Sequence, residues 1–294
     1  MIIKLGKLTL KNPVLLASGT FDKSIIHHID INTLGGLITK TVTLKPREGN
    51  PLPHIIKTKY GYLNSVGLKN PGIKEYLSTE LPFWQKFDIE IIPNIGGFCD
   101  DDYVKLAAIF NKININAIEI NVSCPNVEKG LSYGSDALLL SRLIKKIKKV
   151  CPKTIIVKLG SNVADISVLA KTAIGSGADV ISLINTVLAL EIDSVKKKAK
   201  LAKIIGGYSG PAIKPIALRN VWQVYKDHKY AIIGGGGISS FSDALDFVMC
   251  GATAISIGSG MYLDRQLPEK IVSGFEKYFL ENKIDNIKEI RGII

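Results

Sequence analysis

Short apolar runs recur along the chain, and a longer amphipathic stretch follows each of them. The runs are nearly continuously apolar instead of alternating with polar residues, which is typical of parallel strands covered on both faces. Helices such as Val163–Ser176 and Ser240–Met249 are predicted between them. The predicted strands are Val14–Ala17, Gly36–Thr39, Ile89–Ile95, Ala117–Ile120, Thr154–Leu159, Val180–Ile184, Tyr230–Ile233 and Ala254–Ile257.

This alternation predicts an α/β fold, a (β/α)8 TIM barrel, with residues 1–294 forming a single domain. Residues 1–12 are expected to form a β-hairpin below the barrel. Two wide gaps predict long βα loops after strands 2 and 6, over residues 41–70 and 186–215. A doubly wound open sheet is the alternative, but no Gly-x-Gly-x-x-Gly follows the first strand.

Composition places the chain among soluble globular proteins, with 46% hydrophobic and 22% charged residues. No apolar run is long enough to predict a transmembrane helix, and Met1–Lys7 does not resemble a signal peptide. The 4 cysteines are scattered and form no Cys-x-x-Cys pair, so the chain itself is expected to carry neither a metal nor an iron–sulfur site. Sparse cysteine also favours a cytoplasmic location.

The formal net charge of +12 raises the question of nucleic-acid binding. Lys145–Lys149 are predicted on the solvent face of an amphipathic helix whose apolar side includes Leu138 and Leu143. Lys196–Lys200 are assigned to a polar connection. Neither lysine cluster is interleaved with aromatic residues or belongs to a recognisable module, so no nucleic-acid partner is expected.

The segment that follows the fourth predicted strand carries the strongest chemical signal. Asn121–Asn126 place Cys124 among amide side chains, and Pro125 cannot continue a strand. An isolated cysteine is usually a small core residue, but this strand-end position favours a reactive thiol. A thiol that acts as a base near neutral pH needs electropositive neighbours, and Lys40 and Lys158 lie at the ends of two other strands.

Glycines and amides accumulate at the same strand ends. The last two strands lead into Gly234–Gly237 and Gly258–Gly260, which suits a phosphate site because glycine backbone N–H groups can approach an anion closely. An asparagine side chain matches the paired C=O and N–H of a pyrimidine or similar cyclic amide, although asparagines also simply end strands and form turns. The asparagines at strand ends or in the first long loop are Asn64, Asn94, Asn121, Asn126 and Asn185.

Together these motifs resemble the class 1 dihydroorotate dehydrogenases, which are FMN-containing barrels of pyrimidine biosynthesis. The resemblance covers nearly the whole chain, and the loop from Asn64 to Gly72 is more similar to class 1B, whose members pass electrons to NAD through an iron–sulfur flavoprotein subunit. The matching motifs, in chain order, are Ala17–Phe21, Thr39–Thr43, Asn64–Gly72, Asn121–Val127, Ile184–Thr186, Ser209–Ala212 and Lys214–Pro215.

The resemblance implies a role for each matching position. Cys124 is implied to take the C5 proton of (S)-dihydroorotate while hydride passes from C6 to N5 of FMN, which yields orotate, and Lys158 to stabilise negative charge on the flavin. The implied substrate-binding residues are Lys40, Asn64, Ser65, Val66, Gly67, Leu68, Asn121, Asn126, Asn185 and Thr186. The implied FMN-binding residues are Ala17, Ser18, Lys40, Asn94, Asn121, Lys158, Ile184, Gly210, Gly236, Gly237, Gly258 and Ser259.

The resemblance also implies partners. One FMN is expected per chain, whereas FAD and a [2Fe-2S] cluster are expected only in a partner subunit, which would join a homodimeric core in a heterotetramer. No membrane partner is expected. Two positions depart from the family pattern: Asp22 stands where glycine is common, and four successive glycines, Gly234–Gly237, replace the more usual Gly-x-Gly-Gly.

Three alternatives stay open, whereas a class 2 enzyme is not expected because the serine base and the membrane-binding extension of that class are both missing. A class 1A homodimer that uses fumarate is disfavoured by the Asn-Pro-Gly ending of the first loop. A tRNA dihydrouridine synthase would need an added helical RNA-binding domain and would have no use for the Asn64–Gly72 loop. A non-catalytic flavin- or phosphate-binding barrel is disfavoured by Cys124 and the surrounding amides.

Overall fold

The computed structural model describes residues 1–122 and 133–294. Its strands, in chain order, are β1 (Ile3–Leu5), β2 (Leu8–Leu10), β3 (Val14–Leu16), β4 (Gly36–Ile38), β5 (Ile55–Thr58), β6 (Gly61–Asn64), β7 (Glu90–Ile92), β8 (Asn94–Ile95), β9 (Ala117–Asn121), β10 (Thr154–Leu159), β11 (Val180–Leu183), β12 (Val187–Ala189), β13 (Ile192–Asp193), β14 (Lys198–Ala199), β15 (Gly206–Ser209), β16 (Ile232–Gly234) and β17 (Ala254–Ile257). Its α-helices are α1 (Ile73–Glu75), α2 (Leu81–Trp84), α3 (Asp100–Asn111), α4 (Ala137–Val150), α5 (Ile166–Gly175), α6 (Lys214–His228), α7 (Phe241–Met249) and α8 (Leu267–Asn282). A π-helical turn, Tyr76–Glu80, joins α1 to α2.

The main sheet is a parallel barrel. Its 9 strand segments follow the order β7-β4-β3-β17-β16-β11-β10-β9-β8. The two end segments, β7 and β8, are separated only by Pro93, so one interrupted strand joins both edges. Proline has no N–H for the sheet ladder, which explains why the predicted strand Ile89–Ile95 is divided. The closed sheet and its intervening helices confirm the predicted (β/α)8 barrel.

Several element ends differ from the prediction because side chains cap the helices. Asp165 accepts a hydrogen bond from the N–H of Ser167, so α5 starts later than predicted. Ser240 caps α7 by accepting from the N–H of Asp243 instead of forming the first helical residue. The first predicted barrel strand, Val14–Ala17, is observed as β3 and ends at Leu16. The seventh, predicted as Tyr230–Ile233, is observed as β16, Ile232–Gly234, so it lies further along the chain.

The two long loops meet in a second sheet. Its order is β12-β15-β6-β5, so a strand from the loop after β4 pairs with one from the loop after β11. In the antiparallel pair, Leu63 lies opposite Tyr208 and Asn64 lies opposite Gly207. The predicted polar connection at Lys196–Lys200 contains β14, which pairs with β13. Both loops therefore form one structured layer at the C-terminal end of the barrel.

The predicted hairpin and lysine-rich helix are both present. In the hairpin, β1 and β2 pair in antiparallel register. Helix α4 buries Leu143 and exposes Lys145 and Lys146, as predicted. The placement of Leu138 on its apolar side is wrong, because that side chain is 83% exposed. Leu138 precedes Leu143 by five residues, which is about 140° around the helix.

Candidate active site

Most of the predicted site residues in the described chain gather at the C-terminal ends of the barrel strands, and the others lie in the two long loops. Because the strands are parallel, these ends meet at one mouth, as expected for a barrel of this kind. The positions are Ala17 and Ser18 after β3, Lys40 after β4, Asn94 at the start of β8, Asn121 at the end of β9, Lys158 near the end of β10, Ile184 after β11, Gly236 and Gly237 after β16, and Gly258 and Ser259 after β17.

Two of the predicted amides contact each other at this mouth. The Nδ2 group of Asn185 lies 3.4 Å from Oδ1 of Asn121. The other end of the Asn185 amide is also held, because its Oδ1 accepts from the backbone N–H of Thr186 at 2.8 Å. Lys158 is the register neighbour of Asn121 across β9 and β10. The structure thus brings together an amide pair and a lysine that the sequence placed on separate strands.

One carboxylate in this group was missed by the sequence analysis. Glu119 lies within β9 and is fully buried. Its Oε1 accepts a hydrogen bond of 2.5 Å from Nδ2 of Asn94 and lies 4.0 Å from Nζ of Lys158. The available signal was a charged residue inside an otherwise apolar strand, since buried charges need partners.

Two buried oxygens in this cluster have no hydrogen-bond partner within residues 1–122 and 133–294. They are Oδ1 of Asn94 and Oε2 of Glu119. Because Nδ2 of Asn94 is bound to Glu119, the free end of this amide can only accept. An unsatisfied acceptor in a fully buried position suits a ligand that brings its own N–H group.

The glycine loop after β16 is shaped by close packing. Gly236 and Gly237 have φ values of +121° and +82°, which favour glycine, and a Cβ atom on Gly237 would lie 2.7 Å from the backbone nitrogen of Lys214. In the described part of the chain, the N–H groups of these two glycines and of Gly258 form no hydrogen bond. Exposed backbone donors at glycines can bind an anion.

The backbone of residues 65–68 is fixed by hydrogen bonds to its carbonyl groups. Gly67 and Leu68 both have positive φ values, +75° and +57°, a conformation that is uncommon for a residue with a side chain such as Leu68. The N–H groups of residues 66–68 have no hydrogen-bond partner among the described residues. The four carbonyl oxygens are held by donors: Ser65 O by Asn50 Nδ2 at 2.8 Å, Val66 O by Asn50 N at 2.9 Å, Gly67 O by Arg47 Nε at 3.3 Å and Leu68 O by Asn70 Nδ2 at 2.7 Å.

Three further predicted residues lie in or next to the sheet β12-β15-β6-β5, here called the loop sheet: Asn64 ends β6, Thr186 precedes β12 and Gly210 follows β15. Nδ2 of Asn64 donates to the carbonyl of Gly207 at 3.0 Å. A side chain at Gly207 would collide with Thr186, so this glycine lets Asn64 and Thr186 approach the same strand. Gly210 lies against Gly61 at the start of β6. Its role in cofactor binding stays a prediction.

Lys40, after β4, is an exposed residue at the barrel mouth. Partial burial lowers the pKa of its ammonium group, and the charge of Lys69 lowers it further, whereas Glu80 acts in the opposite direction. The described part of the chain shows no hydrogen bond from Lys40 to another predicted site residue. Cys124 and Asn126 lie outside the described residues.

Comparison with known proteins identifies the family. A sequence model described as "Dihydroorotate dehydrogenase" matches residues 2–279. The chain belongs to the dihydroorotate dehydrogenase family. It is 43% identical over 296 residues to the "Dihydroorotate dehydrogenase B (NAD(+)), catalytic subunit" of Desulforamulus reducens, with 99% of this chain and 97% of the relative covered. Proteins of the same name from Thermoanaerobacter pseudethanolicus (43% over 293 residues; coverage 99% and 97%) and Phocaeicola vulgatus (42% over 296 residues; coverage 99% and 98%) are also similar to this dehydrogenase family member.

Proposed function

We propose that the chain is the catalytic subunit of an NAD-linked dihydroorotate dehydrogenase, which oxidises (S)-dihydroorotate to orotate in pyrimidine biosynthesis. Residues 1–294 would act as one FMN-binding barrel domain. The observation that carries the proposal is the 43% identity, over 99% of this chain, to a catalytic subunit of that name. The amides and lysine at the barrel mouth support it, because they match a planar heterocycle with C=O and N–H groups.

The mouth fits FMN. The unsatisfied Oδ1 of Asn94 suits an N–H group of the flavin ring, and Lys158 places a positive charge at the same mouth. The backbone N–H groups of Gly236, Gly237 and Gly258 suit the phosphate. When bound, FMN supplies the acceptor for the hydride that leaves C6 of the substrate.

The substrate would lie under the loop sheet. The N–H groups of residues 66–68 suit its carboxylate, since they have no partner among the described residues while the carbonyl oxygens of this loop are already bonded. Asn121 and Asn185 offer donors and acceptors to its ring amides, and Asn64 and Thr186 approach from the loop sheet. Lys40 would add a positive charge, and desolvation lowers the pKa of its ammonium group.

Cys124 would act as the base at C5, and Asn126 would bind the substrate next to it. Both assignments come from the sequence motif and lie outside the described residues. Removal of the C5 proton while hydride leaves C6 creates the C5–C6 double bond of orotate. The proposal therefore requires a thiolate at Cys124, and the lysines at the mouth would favour that form.

The decisive experiment is anaerobic reduction of the yellow purified protein by dihydroorotate. Cys124→Ala should keep FMN bound but reduce it at least about 100-fold more slowly at neutral pH, because proton removal loses its base. Cys99→Ala is the matched control, since that cysteine is free and exposed, and it should behave like the parent. Reduction of the Cys124→Ala protein at the parental rate would exclude the assigned role.

The partner would be an iron–sulfur flavoprotein subunit that carries FAD and a [2Fe-2S] cluster and delivers electrons to NAD. Support comes from the relatives, whose names describe a catalytic subunit of an NAD-linked enzyme. A homodimeric core with two such partners would form a heterotetramer in the cytoplasm. None of the helices within residues 1–122 and 133–294 has the length and apolar character that a membrane span requires.

A further inference from the structure

Glu119 is a buried charge that the proposed reaction leaves without a role. Its side chain is fully shielded from solvent inside the barrel, in the strand that ends at Asn121. Taking a carboxylate out of water costs several kcal/mol unless its partners compensate for that loss. A charged residue in such a position is therefore expected to have a role that an apolar residue could not fill.

The contacts of Glu119 lead to two side chains proposed to face FMN. In the sheet register Glu119 lies opposite Asn94 on one neighbouring strand and opposite Ile156 on the other. Its Oε1 is bonded to Nδ2 of Asn94 at 2.5 Å and lies 4.0 Å from Nζ of Lys158. Glu119 is thus one contact away from the proposed cofactor by two separate routes.

The hydrogen bond to Asn94 fixes the direction of the amide. With Nδ2 donating to Glu119, Oδ1 is the end that stays available, and it is buried without a partner in the part of the chain that the structure describes. A freely turning amide could present either a donor or an acceptor. The carboxylate selects the acceptor, which suits a ring N–H.

The second contact changes the electric field of the site. A negative charge 4.0 Å from the ammonium group of Lys158 weakens the positive potential that this lysine presents at the mouth. Reduction adds negative charge to a flavin ring, so a weaker positive potential disfavours the reduced form. Burial increases this influence, because solvent screens the pair poorly.

We propose that Glu119 is a positioning residue that lowers the reduction potential of FMN, by orienting the amide of Asn94 and by offsetting the charge of Lys158. The inference rests on the proposed function only in that FMN binds at this mouth. Glu119 does not touch the reacting atoms in this scheme.

Glu119→Gln is the direct test, because glutamine has nearly the same shape without the charge. The FMN midpoint potential of the purified chain should rise by about 30 mV, which corresponds to about a tenfold change in the ratio of FMN dissociation constants for the oxidised and reduced forms. Anaerobic dye titration measures the potential, and titration of apoprotein with oxidised and reduced FMN measures the ratio independently.

Glu90→Gln is the matched control. Like Glu119, Glu90 belongs to a barrel strand segment and accepts from an asparagine, with its two oxygens 3.0 and 3.1 Å from Nδ2 of Asn116. Glu90 lies at the opposite, N-terminal end of the barrel, so the FMN midpoint potential of Glu90→Gln should equal that of the parent. If Glu119→Gln does not fold, Glu119→Asp withdraws the charge from both partners and should raise the potential by a smaller amount.

The measured potentials decide whether Glu119 has the proposed role. A Glu119 variant with a potential at or below the parental value would overturn the inference, as would an equal rise in Glu90→Gln. A parental chain that binds FMN but is not reduced by dihydroorotate would contradict the proposed activity, and the potentials would still test Glu119. A chain that binds no FMN would overturn both the proposed function and the proposed role of Glu119.

Discussion

At the scale of single residues, Asn50 and Arg47 determine which polar groups the first long loop presents. Asn50 holds the carbonyl groups of Ser65 and Val66, and Arg47 holds that of Gly67. The guanidinium of Arg47 also lies 4.4 Å from the ring centre of Phe98, which fixes it further. Neither residue was predicted as part of the site, because each acts on backbone atoms instead of on a ligand.

Asn50→Ala should weaken substrate binding more than chemistry. Loss of its side-chain bonds to Ser65 frees the loop, so the KM for dihydroorotate should rise about tenfold, equivalent to about 1.4 kcal/mol, with kcat changed less than about twofold. Steady-state kinetics with an artificial dye measures both constants.

Asn282→Ala serves as its control, because Asn282 also donates to a backbone carbonyl, that of Tyr278, but does so at the exposed end of α8. Its kinetic constants should match the parental values. An unchanged KM in Asn50→Ala would contradict the assigned role of the loop backbone.

At the scale of secondary-structure elements, a charge network around the partly buried Asp100 joins α3 to α4. Asp100, in the first turn of α3, contacts Arg142 at 2.9 Å and Lys146 at 2.7 Å on α4. Tyr133 donates to the same carboxylate at 2.6 Å. Burial alone would raise the pKa of Asp100, but the hydrogen bonds from Lys146, Tyr133 and Arg142 outweigh it and lower the pKa from 3.8 to about 2.

The stability of this helix pair should depend on pH in a defined direction. Because the folded-state pKa of Asp100 is below its ordinary value of 3.8, its charge stabilises the protein above that pH, and the contribution is lost as pH falls toward about 2. Asp100→Asn should lower the free energy of unfolding by about 2 kcal/mol at pH 7. The difference from the parent should narrow below pH 4.

Urea unfolding at several pH values tests this expectation. Asp101→Asn is the control. The Asp101 carboxylate is next to Asp100 in the sequence but is 78% exposed, so its contact with Lys105 adds little to the free energy of unfolding. A destabilisation by Asp100→Asn that stays constant from pH 7 to the acid range would show that the charge is not responsible.

Two glycine substitutions compare a constrained loop with a permissive helix. Gly237→Ala should impair FMN binding at least about tenfold, because a Cβ there would lie 2.7 Å from the backbone of Lys214 at a φ of +82°. Gly175→Ala, within α5, meets no atom within 4 Å and should stabilise the protein by up to about 1 kcal/mol. FMN titration and thermal unfolding measure these effects, and equal FMN affinity in both variants would contradict a shaped phosphate loop.

At the scale of the whole molecule, the proposed reaction needs an exit for electrons that this chain is not expected to provide. The isolated protein should reduce artificial dyes at least about 100-fold faster than NAD when dihydroorotate is the donor. Addition of the iron–sulfur flavoprotein partner should restore NAD reduction. Rapid NAD reduction by the isolated chain, measured by the absorbance of NADH, would exclude the proposed arrangement in which a partner subunit passes the electrons to NAD.

The sequence by itself determined the barrel and most of the residues at its mouth. Continuous apolar runs separated by amphipathic stretches predict parallel strands with helices between them, and parallel strands bring their C-terminal ends to one place. The strand-end positions of Asn121, Lys158 and Gly236 therefore implied a common site before any contact was known. Cys124 and Asn126 stay predictions of the same kind.

Only the tertiary structure decided which polar groups meet. The contacts of Glu119 with Asn94 and Lys158 join three strand segments, and the pairing of β6 with β15 joins loops that are far apart in sequence. Hydrophobic periodicity records which face of an element is buried, but it carries no information about the register between elements. A hydrogen bond depends on distances of a few tenths of an ångström, which are set once the barrel closes and its side chains pack.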